Sequence, residues 1–122
     1  MKLRPTSTQA QTSVNLAFDI ETDGIDSNYI HCVVTKNIDT GEITEYNDQA
    51  SKNYSVVNAV CDLETADNII SHNGIMFDVP EIKKHFPFWE GKAKHWDTLI
   101  LSRFFHPDLL DIDLRRKWTM MP

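Results

Sequence analysis

At 122 residues the chain has room for one domain with a thin core. Hydrophobic residues at 41% and charged residues at 25% are ordinary globular values, and no apolar run nears the roughly 18–20 residues of a membrane span. The net charge of −6 argues against a protein that coats nucleic acid or represses by binding it, but not against an enzyme whose carboxylates carry metal ions.

Residues 1–13 are polar and rich in Thr, Ser and Gln, which reads as a flexible lead-in. Lys2 and Arg4 precede no apolar stretch, so the segment is not a secretory signal. Residues 14–122 form the expected domain. Val14 to Glu21 predicts a strand: Leu16, Phe18 and Ile20 alternate on one face, with Ala17, Asp19 and Glu21 on the other. Tyr29 to Thr35 predicts a second strand, Asp39-Thr40-Gly41 a turn, and Glu42 to Tyr46 a third strand, together an antiparallel meander.

Ser55 to Glu64 then fits a helix, with Val56, Val60 and Leu63 on one face and Ser55 as its cap. Asn68 to Ser71 is a short strand ending in the loop His72-Asn73-Gly74. Val79 to Phe86 predicts a second helix, with Val79, Ile82 and Phe86 sharing a face, Pro80 in its first turn and Pro87 as its stop. Asp97-Thr98 offers a cap for a third, Leu99 to His106, ended by Pro107. From Asp108 to Pro122 the chain is charged, with a basic run at Arg115-Arg116-Lys117, and shows no clear element. A meander followed by alternating helix and strand is an α/β layout with a mixed sheet and flanking helices, the order of a ribonuclease H-like fold. Such a fold serves many functions, so the site must decide. Cys32 and Cys61 sit in apolar contexts without paired ligand spacing, and read as reduced, buried thiols of a cytosolic protein rather than a zinc site.

Asp19 and Glu21 point to one side of their strand, about 6.6 Å apart at the usual rise. A buried, unpaired carboxylate costs several kcal/mol, so two acids on a covered strand need a neutralising partner, and a divalent cation is one. Solvated acids at a strand end remain the alternative. An EF-hand loop is excluded, because the twelfth position, Ile30, lacks the required Glu. Asp78 falls at the start of the second helix, where capping is the common role of a carboxylate.

Asp19-Ile20-Glu21-Thr22 followed by Asn73-Gly74-Ile75-Met76-Phe77-Asp78 resembles the first two motifs of DEDD-type 3′–5′ exonucleases. More narrowly, Ala17 to Thr22, Ser71 to Ile82 and Asp97 to Pro107 are similar to the proofreading domain of short-tailed-phage DNA polymerases of the bacterial Pol I family. The resemblance runs from about Leu16 to Lys117. It implies that Asp19, Glu21 and Asp78 are catalytic metal ligands for two Mg²⁺ or Mn²⁺ ions. Thr22 and Asn73 would contact the substrate strand. Phe77 belongs to the same substrate-binding group, though packing beneath the site is its expected role, and Asp97 is a structural cap. The implied reaction is hydrolysis of the 3′-terminal phosphodiester bond of single-stranded or frayed DNA. One ion would activate water and the other would stabilise the leaving 3′ oxygen. Trp96, Phe104 and Phe105 are candidates for stacking on a base, with a core role expected for each.

One element of the resemblance is missing. The family's third motif is a Tyr or His with an Asp four residues on, and no Tyr or His in this sequence has one. Asp111 and Asp113 come too early. The resembling domains also run on beyond the position of Pro122, which reads as a domain truncated at its C-terminus. The expectation is the N-terminal part of an exonuclease domain, weak or inactive alone, completed by the rest of a polymerase in the same or a second chain. Self-association through exposed apolar surface is a further expectation, as is a cytoplasmic location, in an infected host cell if a phage encodes the chain. The alternative is a non-catalytic module that binds nucleic acid or a partner protein. A ribonuclease H-like nuclease acting on RNA is a third reading.

Overall fold

The computed structural model describes residues 13–49 and 52–108. The expected lead-in, apart from Ser13, and the tail carrying Asp111, Asp113 and Arg115 to Lys117 lie outside the described residues. Five strands form one sheet: β1 (Asn15–Thr22), β2 (Ile30–Asn37), β3 (Ile43–Asn47), β4 (Asn68–Ser71) and β5 (Lys94–Asp97). Three helices accompany them: α1 (Val56–Thr65), α2 (Asp78–His85) and α3 (Thr98–Phe105), with a single 3-10 turn at Lys52–Tyr54.

The sheet order is β3-β2-β1-β4-β5. β1 pairs antiparallel with β2, and β2 with β3, so the meander forms as its turns and β-branched strands require. Asn37 starts the hairpin turn, its side chain accepting from the amides of Asp39 and Thr40. β4 joins β1 in parallel through the α1 crossover, and β5 joins β4 in parallel through α2. This mixed five-stranded sheet with flanking helices is the ribonuclease H-like α/β architecture expected from the order of elements.

The core lies on one sheet face. Leu16, Phe18 and Ile20 of β1, Val33 of β2, Tyr46 of β3 and Ile69 of β4 meet Val56, Ala59, Val60 and Leu63 of α1 and Ile82 of α2. Phe77, Val79 and Phe86 pack against this cluster. Ser55 caps α1 in reciprocal fashion with Asn58, whose side-chain oxygen accepts from both the Ser55 amide and its hydroxyl. The hydroxyl of Tyr46 donates to Asp62 at 2.5 Å, tying β3 to α1. Burial and the Asp62 carboxylate push the Tyr46 hydroxyl up to about 12, so it stays a donor at any working pH.

Four expectations need correction. β5 was not foreseen as a strand: Lys94-His95-Trp96-Asp97 is short, carries two charges and lacks the apolar run that marks a buried parallel strand. Cys61 is exposed and Cys32 half-buried, both with free thiols, because Cys61 lies on the solvent side of α1 and Cys32 faces away from the core. Trp96 is also outside the core. Strand alternation turns His95 and Asp97 inward, leaving the Trp96 indole on the outer side, where Nε1 donates to Asn68 Oδ1 at 3.0 Å. Phe104 and Phe105, 76% and 67% exposed, are not core residues either: α3 buries no residue, and the two rings meet edge to face at 5.2 Å. No helix among the described residues is long and apolar enough to cross a membrane.

Candidate metal centre at the end of the first strand

The site is built where β1 ends beside the start of α2. Asp19 and Glu21 leave β1 on the face opposite Leu16, Phe18 and Ile20, and both are exposed. Asp78 opens α2 and is buried, 4% exposed. Phe77, not Asp78, occupies the cap position, and it makes no side-chain capping bond. Asp78 Oδ2 has no hydrogen-bond partner among the described residues. Burial, then the negative charge of Asp19, push the Asp78 carboxyl up to about 6, while backbone amides of Ile20 and Asp78 pull the other way. Asp78 therefore lies against β1, within the field of Asp19. Glu21 stands on the same strand face as Asp19, but among the described residues no three His, Cys, Asp or Glu side chains close around one point.

The donor chemistry fits a hard divalent cation. Carboxylate oxygens are the ligands Mg²⁺ and Mn²⁺ prefer, and Mg²⁺ keeps several waters, so it needs few protein ligands. A buried Oδ2 without a donor, next to a second carboxylate, is a position a cation relieves.

Thr22 ends β1, and its hydroxyl donates to Gly24 O at 2.7 Å, turning the chain out of the strand. Asp23 then accepts from the amides of Asn28 and Tyr29, closing the loop. Asn73 adopts φ 61°, a left-handed conformation that Asn tolerates, and its side chain is exposed. Phe77 is half-buried against the core, as expected of a residue beneath the site.

Asp97 caps α3 by accepting from Leu99 N at 2.9 Å and Ile100 N at 3.4 Å. Its cap role was foreseen; its second role was not. The same carboxylate accepts from Asn73 N at 2.8 Å and Ile75 N at 3.1 Å, pinning the turn that leads to Asp78. Burial alone would raise the Asp97 carboxyl, but the four amides hold it below the usual carboxylate range. Gly74 is needed at that turn: a Cβ there would sit 2.7 Å from Ser71 Cβ and 3.3 Å from His95 Cε1. A polar network invisible to the motifs fastens the loop after Glu21. Buried Ser27 donates to Glu81 and lies 3.0 Å from His85 Nε2. One ring nitrogen faces both the hydroxyl and the acid, so this trio anchors loop to helix rather than forming a relay.

The family model for the RNase H superfamily matches residues 16–118, most of the chain. The chain belongs to the RNase H superfamily. Nucleases of the RNase H superfamily generally use divalent metal ions. A comparison with curated proteins finds no match.

Proposed function

We propose that this chain carries the N-terminal part of a two-metal 3′–5′ DNA exonuclease domain of the proofreading kind found in phage DNA polymerases. Membership of the RNase H superfamily supports the nuclease class. The motif pair Asp19-x-Glu21 and Asn73-Gly74-x-x-Phe77-Asp78 supports the exonuclease reading. The observation that carries it is Asp78: a buried carboxylate with an unpartnered oxygen, held against β1 beside Asp19. A fold gains nothing from that placement, so a ligand is its physical explanation.

In this reading Asp19, Glu21 and Asp78 hold the ions. Bound divalent ions supply positive charge to the phosphoryl oxygens and acidify a water. The chain's own residues do the rest. The Asp97-pinned turn fixes the start of α2 and with it the Asp78 carboxylate. Thr22 and Asn73, at the two loops flanking the acids, contact the terminal nucleotide, and Phe77 supports the site from beneath. Substrate is a single-stranded or frayed 3′ end, since a paired terminal nucleotide cannot enter without unpairing. A fourth carboxylate comes from outside these elements, from the remaining polymerase in the same or a second chain, and without it turnover is slow.

A second reading is favoured by the exposed Phe104–Phe105 pair on α3: a non-catalytic module that binds nucleic acid or a partner protein. Release of nucleotides from 3′-labelled single-stranded DNA, with Mg²⁺ or Mn²⁺, separates the two. Slow release abolished by Asp19→Ala supports the exonuclease reading. DNA binding that needs no metal and survives Asp19→Ala, with no release under any metal, supports the binding module.

A further inference from the structure

The loop from Asp23 to Tyr29 joins β1 to β2, and Ser27 is its one buried residue, 1% exposed between exposed neighbours. A buried hydroxyl needs partners, and both partners of Ser27 lie on α2. Its Oγ donates to the carboxylate of Glu81, itself buried, and lies 3.0 Å from His85 Nε2. Glu81 and His85 follow Asp78 on the same helix, about one and two turns on. Val79 and Ile82 already seat α2 on the core, so what the trio adds is the placement of the loop. An apolar anchor tolerates sliding, whereas directional bonds to a buried acid and an imidazole hold one position.

That position is passed on to the end of β1. The ladder between β1 and β2 slips between Glu21 and Thr22, so the regular register stops short of Thr22. The loop takes over from there. Asp23 Oδ1 accepts from Asn28 N at 2.9 Å and Tyr29 N at 3.2 Å, and Asp23 N donates to Tyr29 O at 3.3 Å. The residues just after Ser27 are thereby joined to the start of the loop. Gly24 then fixes the Thr22 side chain, whose Oγ1 donates to Gly24 O at 2.7 Å and accepts from Gly24 N at 3.3 Å. Hydrogen bonds and single peptide links thus run without a gap from buried Ser27 to Thr22. The Asp26–Lys84 ion pair, at 2.9 Å, bridges the same two elements, but the Asp26 side chain is fully exposed and such pairs hold little.

We propose that Ser27 is a positioning residue for the terminal nucleotide, acting on Thr22 through the loop between β1 and β2. This rests on the nuclease reading above, in which Thr22 contacts the nucleotide and Asp19, Glu21 and Asp78 hold the ions. The two tasks have separate supports. Asp19 and Glu21 are carried by the β1 ladder, and Asp78 by α2 and the turn pinned by Asp97, none of which hangs on Ser27. Thr22 does hang on it. Loss of the Ser27 bonds therefore weakens the grip on the nucleotide and leaves the grip on the ions as it was.

The test compares the full chain with three variants. Ser27→Cys keeps most of the buried volume but puts a weak donor in place of a strong one, Ser27→Ala removes the donor outright, and Asp26→Ala removes only the exposed ion pair. Two affinities are read from backbone amide shifts of the folded protein: for Mg²⁺ alone, at Asp19 and Asp78, and for thymidine 5′-monophosphate in saturating Mg²⁺, at Thr22 and Gly24. Ser27→Cys and Ser27→Ala should each raise the nucleotide Kd about tenfold while the Mg²⁺ Kd stays that of the parent. Asp26→Ala should leave both within about twofold. Either Ser27 variant that folds decides, since both affinities are measured on folded protein. A parent-like nucleotide Kd in the Ser27 variant, an equal loss in Asp26→Ala, or a parallel loss of Mg²⁺ affinity each overturns the role of Ser27 and leaves the carboxylate site standing. A parent chain that binds Mg²⁺ but no nucleotide overturns the role of Ser27 together with that of Thr22. A parent that binds neither overturns the nuclease reading, and the role of Ser27 with it.

Discussion

Asp78 is ionisable in a place that does not welcome charge. Its folded carboxyl titrates at about 6, above the ordinary value of 3.8, chiefly from burial and then from Asp19. Between those values the folded state binds a proton that the unfolded chain has released, so stability falls as pH rises through this window. The penalty at neutral pH is on the order of 2–3 kcal/mol in the absence of cations. Asp78→Asn should therefore stabilise the chain by about 2 kcal/mol at pH 7.5 in chelator, and gain almost nothing at pH 4. Urea unfolding at the two pH values measures this, and an equal effect at both would show that the burial carries no such cost. Asp19 and Glu21 were legible because a period-two pattern must put them on one side of β1. The state of Asp78 was not: spacing alone made it a helix cap, and only the packing shows its oxygen left without a donor.

At the scale of elements, the turn from β4 to α2 determines where Asp78 sits. It depends on one carboxylate and one glycine. Asp97→Ala removes the acceptor of four backbone amides and should cost at least about 2 kcal/mol. The same change should speed hydrogen exchange at Asn73 and Ile75 more than at amides of β2; uniform exchange would mean that Asp97 only caps α3. Gly74→Ala drives a methyl into Ser71 and should cost about 1–3 kcal/mol, read as a lowered urea midpoint at unchanged slope. Helix starts and helix stops were legible from Ser55 and Asp97, and from Pro87 and Pro107, each of which acts locally. β5 and the link from Asp97 to Asn73 were not, since both join residues more than twenty apart in sequence.

For the whole molecule, the order of elements revealed the sheet because each connection has few ways to return: hairpins give antiparallel neighbours and helical crossovers parallel ones. Which apolar residues stay exposed did not follow from that order. Ile100, Phe104 and Phe105 repeat at helical spacing, yet α3 has no neighbour on that side among the described residues. Replacing Phe104 and Phe105 together by Ala should cost less than about 1 kcal/mol, since little area is lost from the core, and should weaken any self-association seen by sedimentation. A loss of several kcal/mol would show that the rings are covered in solution. The central claim is that Asp19, Glu21 and Asp78 act together as a cation site on this RNase H superfamily fold. Thermal unfolding at pH 7.5 with and without Mn²⁺ tests it most directly, because a ligand that binds only the folded state raises its stability. Mn²⁺ should raise the Tm of the chain and leave that of Asp78→Asn unchanged. No rise in the parent chain, or an equal rise in both, contradicts the claim.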